Sequence, residues 1–299
     1  MNLSLPIESV DSRQMNRERF RKEYVSKAKP LILKGFADLF PAGKQWTFDY
    51  LDQKMGDHIV GIIDNSIKKN TAVTGPDLKM KFSEFSAIIR RDEETPYRIF
   101  LFNMFRECPE MRKDFPTPEL VKGVLGNLGL TFFGGKNTTV RFHFDIDCSG
   151  VLMTQVIGRK RVILIPPSYD KLLYKIPFAS FSLIDLEKRD YEKFPGLRYV
   201  EGHDFILQPG DALFMPSRFW HFNTYLEGGM AISYRILASR PLDIYNGIMN
   251  TTLRLLFDKS MNGMLGEKWM ERKKTITFRN AVNAMKNLQP VTGKVTMTG

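Results

Sequence analysis

The chain has 299 residues, 43% hydrophobic and 12% aromatic, enough apolar material for one large domain or one domain with an appendage. Two cysteines, Cys108 and Cys148, are too few for a disulfide framework, and no window holds the ~18 uninterrupted apolar residues that a spanning helix needs. A formal charge of +11 leaves nucleic acid, an acidic protein or plain solvation open as the reason for the basic excess.

In chain order, residues 1–95 read as mixed α/β. A helix is expected to be capped near Asp11 or Ser12, followed by a short strand in "KPLILKGF", a helix in "TFDYLDQKMG", a strand in "HIVGII" and a helix in "KFSEFSAIIRRD". The start lacks a basic stretch followed by an apolar run, so the cytoplasm is the expected compartment. From about 97 to 238 short apolar runs alternate with Gly and Pro turns, among them "YRIFLFNMF", "LTFFGG", "GVLMTQVIG" and "RVILIPP". That rhythm indicates a sandwich or barrel. Residues 241–290 turn helical again, and 291–299 form a tail with little to pack. The resulting division is 1–95, 96–240, 241–290 and 291–299.

Basic residues concentrate in "SRQMNRERFRKEYVSKAK" and "EKWMERKKTITFRNAVNAMKNL". Charge runs of this kind are commonly solvated helix faces. Together they leave RNA or an acidic peptide open as a substrate, although no RNA-binding signature accompanies them.

The chemistry concentrates in "TTVRFHFDIDCSG". Side chains alternate along a strand, so His143 and Asp145 converge on one face, and Phe142 and Phe144 share the other. A third ligand type, His221, follows in "QPGDALFMPSRFWHF" after a Pro-Gly turn and an apolar strand. Two histidines and one carboxylate make the ligand set of a mononuclear non-haem Fe(II) site, which keeps positions open for a co-substrate and O₂. Zinc accepts the same residues but more often adds His or Cys ligands.

Between these motifs lies "QVIGRKRVILIPP". Lys160 shares a face with Val162 and Leu164, while Arg159 and Arg161 point the other way. A buried lysine needs an anion, such as the far carboxylate of 2-oxoglutarate. The alternative is that all three cations are solvated at a strand edge. His58 and His203 are expected to be surface residues without a metal role.

The ordered series "KPLILKGF", "QWTFDYLDQKMGD", "HFD", "QVIGRKRVILIPP", "FSLIDLEKRDYEKFPG", "QPGDALFMPSRFWH" and "GGMAISYRI" resembles the JmjC-type cupins. The similarity spans roughly residues 29–240. It is to the subgroup that includes the factor-inhibiting-HIF asparaginyl hydroxylase and the tRNA wybutosine hydroxylase. The resemblance implies a double-stranded β-helix jelly roll that uses Fe(II), 2-oxoglutarate and O₂. It also implies that His143, Asp145 and His221 ligate the metal and that Lys160 binds the co-substrate. Hydroxylation of a protein or peptide side chain is the function expected by this analogy, with an RNA hydroxylase of the same mechanism, or a silent metal- or small-molecule-binding cupin, as alternatives. Demethylation of lysine is a further variant, with none of the reader or zinc modules that often accompany it.

Three departures stand out. Phe100 and Val140 replace a tyrosine and a threonine that hydrogen-bond the co-substrate in the asparaginyl hydroxylase, so Thr138, Thr139 or Asn103 would have to substitute. Arg235 replaces an asparagine, and it could contact the co-substrate carboxylate beside or instead of Lys160. The segment after His143 is two residues longer, which makes "DIDCSG" a bulge or loop near the metal and puts Asp147 and Cys148 at the substrate mouth. Finally, Leu242, Ile244, Tyr245, Ile248, Met249, Leu253, Leu256 and Phe257 recur at helical spacing. This stripe must pack on the barrel exterior or on another copy. Since relatives dimerise through terminal helices, a homodimer is expected.

Overall fold

The computed structural model describes residues 1–67, 75–123 and 128–288, so the expected tail 291–299 lies outside the described residues. Five strands precede the barrel: β1 (Glu8–Asp11), β2 (Leu31–Lys34), β3 (Ile59–Asp64), β4 (Leu78–Lys81) and β5 (Tyr97–Phe102). Eight more follow: β6 (Gly129–Gly134), β7 (Thr139–His143), β8 (Gly150–Ile157), β9 (Lys160–Ile165), β10 (His203–Leu207), β11 (Ala212–Met215), β12 (Trp220–Tyr225) and β13 (Gly229–Ile236). These eight form two facing antiparallel sheets, a jelly-roll core. One has the order β10-β9-β12-β7. The other is extended at both edges to the order β1-β2-β11-β8-β13-β6-β5-β3-β4.

Burial follows from this layering. Every residue of β8 from Gly150 to Val156 is buried, because the strand is central in a sheet covered on both faces. One apolar cluster fills the barrel, with Val162, Leu164, Leu213 and Ala231. A second joins the outer face of the large sheet to the N-terminal helices through Phe20, Tyr24, Leu51 and Phe85. A third covers the outer face of the small sheet, where Phe142, Phe144 and Trp220 meet Ala281 of the last helix.

The N-terminal helix starts later than the sequence suggests. Asp11 caps a single 3₁₀ turn, Ser12–Gln14, and Asn16 caps the helix that begins at Arg17. Both side chains accept a hydrogen bond from a free backbone N–H, so two caps in series compete for one signal. The later helices Phe48–Met55 and Phe82–Ile89 lie where the periodicity places them.

The first C-terminal helix inverts the usual amphipathic arrangement. In Pro241–Met249 the buried residues are Asp243 and Gly247, while Leu242, Tyr245 and Ile248 are exposed, as are Leu253, Leu256 and Phe257 further on. A side chain at Gly247 would meet the Asp147 carbonyl oxygen at 2.1 Å, so glycine is what lets this helix lie directly on the loop after His143. Asn250 secures the contact by donating to the Ile146 carbonyl oxygen at 3.1 Å. Most of the apolar stripe therefore faces outward, and its end is anchored within the chain, where Phe257 packs on Phe178 at 5.1 Å and on Trp269 at 5.9 Å.

Candidate metal centre and its cavity

His143 closes β7 and His221 lies opposite it on β12, so the two imidazoles face each other with ring centroids 4.2 Å apart. Asp145 follows two residues later, just beyond the strand, with Oδ1 4.0 Å from His143 Nε2. One donor atom from each of the three lies within 4.8 Å of the others, the one such group of three among the described residues. A single divalent ion at their centre would reach all three.

Neighbouring groups fix each ligand. His143 Nδ1 donates to the Arg141 carbonyl oxygen at 2.5 Å and His221 Nδ1 to the Phe219 carbonyl oxygen at 3.1 Å. Each ring thus turns its Nε2 lone pair inward, as outer contacts commonly orient metal-binding imidazoles. Burial pushes His143 down to about 3, with His221 adding to the effect, and lowers His221 as well. Burial alone would raise Asp145, but Arg235 and the two imidazoles outweigh it and bring the carboxyl down to about 2. Neutral imidazoles beside an ionised carboxylate are the protonation states that metal ligation requires, so the residues fit the ion.

Arg235, on β13 and expected beside the co-substrate, lines the same cavity as the ligands, with its guanidinium already engaged. Its Nη1 pairs with Asp145 Oδ2, its Nη2 donates to Asp145 Oδ1 at 3.2 Å, and Nη1 also donates to Ser149 Oγ at 3.3 Å. The guanidinium fork is taken up by Asp145 and the loop behind it.

Beyond the ligands a cavity of about 520 Å³, solvent at its mouth included, runs into the barrel. On β12 the residues facing it are His221, Asn223 and Tyr225, whose cross-strand neighbours on β9 are Leu164, Val162 and Lys160. Lys160 therefore lies two side-chain rungs, about 13 Å along the strand, from the metal end. It is 2% exposed and has no carboxylate partner among the described residues; its Nζ sits 4.2 Å from the Tyr225 ring centroid and 4.0 Å from Met153 Sδ. Burial pushes it down to about 7. Arg159 and Arg161 instead pair outward with Glu227 and Asp204. Asn223 Oδ1 is buried with no hydrogen-bond partner among the described residues.

Two expected co-substrate residues are not in this cavity. Opposite His221 and Asn223 of β12 stand His143 and Val140 of β7, so two residues, Arg141 and Phe142, face the single Phe222. This bulge reverses the alternation. Val140 joins His143 on the cavity face, and Thr139 lines a separate depression with Arg141 and Phe142. Asn103 spends its side chain as an N-cap, accepting from Arg106 N at 3.1 Å. Thr138 is also occupied, donating from Oγ1 to the Gly135 carbonyl oxygen at 2.7 Å. A second irregularity, between Ile99 and Phe102 of β5, turns both Phe100 and Leu101 into the cavity, Leu101 at φ 55°. Sequence reasoning missed Asn223 and Tyr225, which the alternation starting from His221 marks as inward.

His203 Nδ1 meets the Leu5 carbonyl oxygen at 2.9 Å and His58 lies 3.8 Å from Cys108 Sγ; neither belongs to the metal group. The "DIDCSG" segment is a turn between β7 and β8, with Cys148 buried at φ 52°. Burial pushes the Cys148 thiol up to about 11, and Asn250 donates to its Sγ at 3.4 Å, so it packs under the C-terminal helix rather than at the mouth.

With this geometry in place, comparison with known families is direct. The model of the cupin-like domain matches residues 17–234. The chain therefore belongs to the cupin-like family, the JmjC-type cupins, a group of Fe(II)- and 2-oxoglutarate-type oxygenases. It is 28% identical over 233 residues to the lysine-specific demethylase 8 of Danio rerio, an alignment covering 73% of this chain and 55% of the relative. It is 24% identical over 250 residues to the tRNA wybutosine-synthesizing protein 5 of Gallus gallus, covering 77% of this chain and 76% of that protein. The demethylase 8 of Xenopus tropicalis, at 26% identity, is covered over 50% of its length, so the chain spans about half the length of these two demethylases. Among the described residues no helix is long and apolar enough to cross a membrane.

Proposed function

We propose that this protein is an Fe(II)- and 2-oxoglutarate-dependent dioxygenase that hydroxylates a protein or peptide side chain. One observation carries the reading: a His-Asp-His group shares a cavity with a buried lysine, two rungs deeper, that has no carboxylate partner among the described residues. His143, Asp145 and His221 would hold the metal, and Lys160 would bind the far carboxylate of the co-substrate. An ammonium with no anion of its own is an unstable arrangement until an anionic ligand enters. Asn223 Oδ1, still free to accept, can orient a donor beside it. Phe100, Val140 and Met153 line the cavity with apolar surface, which limits water within it. When bound, iron with 2-oxoglutarate and O₂ supplies the oxidation, giving succinate, CO₂ and a hydroxylated C–H position. The protein's part is to bind, orient and exclude water.

RNA is the second reading of the substrate, favoured by the charge of +11 and by the similarity to the tRNA wybutosine-synthesizing protein. The demethylase relatives keep lysine demethylation as a variant of the same oxidation. A homodimer through the C-terminal helices fits the outward apolar stripe, since monomers rarely leave such a contiguous patch uncovered. Light scattering should give twice 34.6 kDa, and a mass of one chain would remove the dimer from the reading.

The test of the central reading is anaerobic titration with Fe(II) and then 2-oxoglutarate. The visible metal-to-ligand charge-transfer band is expected in the wild type and absent in His143→Ala. Iron binding without a band would mean that Phe100 and Val140 have cost the protein its co-substrate, leaving a silent cupin.

A further inference from the structure

The last helix, Glu267–Lys286, presents two faces of opposite character. Its inner face buries Trp269, Lys273, Thr277 and Ala281. At 100° per residue, Lys268, Arg272, Arg279 and Lys286 fall within about 40° of a single line on the opposite face, all exposed. The line runs five turns, about 27 Å. The ion pairs made by this helix use other side chains: Lys273 with Asp258 and Lys274 with Glu271. Among the described residues none of the four aligned cations has an acidic partner. Lys268 and Arg272 also repel each other at i, i+4, so the arrangement opposes helix stability.

We infer that this stripe is a docking surface for RNA, gripping the phosphate backbone. The side chains between the cations on the same line include Thr275 and Asn283, which can hydrogen-bond phosphate or the 2′-hydroxyl. A membrane-surface helix would turn its apolar side outward, whereas here that side packs on the small sheet and the stripe holds one large exposed apolar residue, Val282. The helix also starts at the metal end of the barrel. Trp269 stacks on Phe178 at 5.9 Å, and Phe178 belongs to the loop whose Phe181 bridges to His143. The stripe itself lies on the face opposite Trp269. The inference deepens the RNA reading of the substrate, but the binding it describes needs no metal.

The experiment is fluorescence anisotropy of the full chain with a 20-nucleotide single-stranded RNA across a salt series. Four phosphate contacts predict a slope of log K against log salt of about −3. Replacing all four cations (Lys268→Gln, Arg272→Gln, Arg279→Gln, Lys286→Gln) should remove most of that slope, and each single replacement about a quarter of it, roughly 0.7 slope units. Glutamine retains helix propensity, and an unchanged melting curve confirms the fold. Unchanged RNA binding in the fourfold variant overturns the inference, as does polyglutamate displacing RNA at equal charge concentration, which would mark an acidic protein as the occupant. The charge-transfer band, recorded on both proteins, separates the two claims. RNA binding that depends on the stripe, with no band in either protein, sinks the oxygenase reading and sustains the surface.

Discussion

The two ends of the cavity differ in how completely their polar groups are paired. At the metal end each group has a partner: two backbone carbonyls for the imidazoles and Arg235 for Asp145. At the deep end Lys160 has only the Tyr225 ring and Met153 Sδ beside it and no anion, and Asn223 Oδ1 is buried with no partner among the described residues. Pairing at the metal end holds the ligands ready, so ion binding reorganises little. The unpaired deep end holds desolvated charge that a ligand would relieve. One end is thus built to be rigid and the other to be completed.

The strongest way to break this contrast is Lys160→Met, which fills the same space without charge. Removing one member of a buried ion pair costs about 3 kcal/mol, so the Kd for 2-oxoglutarate should rise by about two decades while metal affinity holds. The ligand-free protein should melt at a higher temperature than the wild type, because an uncompensated ammonium has gone. The pH dependence has a definite sign. With Lys160 down to about 7 in the folded protein, below its unfolded value, the unfolded chain binds the extra proton above pH 7. Wild-type stability should therefore rise as pH increases from 7, and 2-oxoglutarate affinity should fall over the same range as the lysine loses its charge. Calorimetry of both proteins at pH 6.5 and 9 checks both slopes, and a Met variant that binds 2-oxoglutarate normally would end Lys160's role.

At the other end, Arg235→Gln should act through stability before it acts on the co-substrate. It strands a largely buried carboxylate, 18% exposed, and about 2 kcal/mol, roughly 3 °C in Tm, is the expected loss in the metal-free protein. Manganese should restore most of it, because a divalent ion replaces the lost guanidinium beside Asp145. If the variant keeps its Tm and loses 2-oxoglutarate binding instead, Arg235 is a co-substrate ligand after all.

This contrast was only partly legible in the sequence. Alternation alone put Lys160 on the buried face of β9 and separated it from Arg159 and Arg161, because that strand pairs without interruption. The metal ligands were legible for a different reason: His-x-Asp and a later His after a Pro-Gly turn carry their chemistry in residue type. Arg235's partner was not legible. It depends on a contact between residues 90 apart, across a turn whose shape the residue types do not specify. The outward apolar stripe was visible as a stripe, but its direction is set by Gly247 and Asn250 gripping the loop below.

Thr139 shows most sharply where local reading stops, and it gives the smallest expected effect. A bulge adds one residue and inverts the alternation that follows, so counting back from His143 puts Thr139 inside while the register of β7 against β12 puts it outside. Thr139→Val keeps the shape and removes the hydroxyl. Since that hydroxyl lies off the cavity, the charge-transfer band and the Kd for 2-oxoglutarate should match the wild type, with stability changed by no more than about 0.5 kcal/mol. Val140→Thr is the complementary probe, because it returns a hydroxyl to the cavity wall beside His143. It should tighten 2-oxoglutarate binding by the worth of one hydrogen bond, about 1 kcal/mol or roughly fivefold. A loss of binding in the first variant with no gain in the second would mean that β7 pairs with β12 without the bulge.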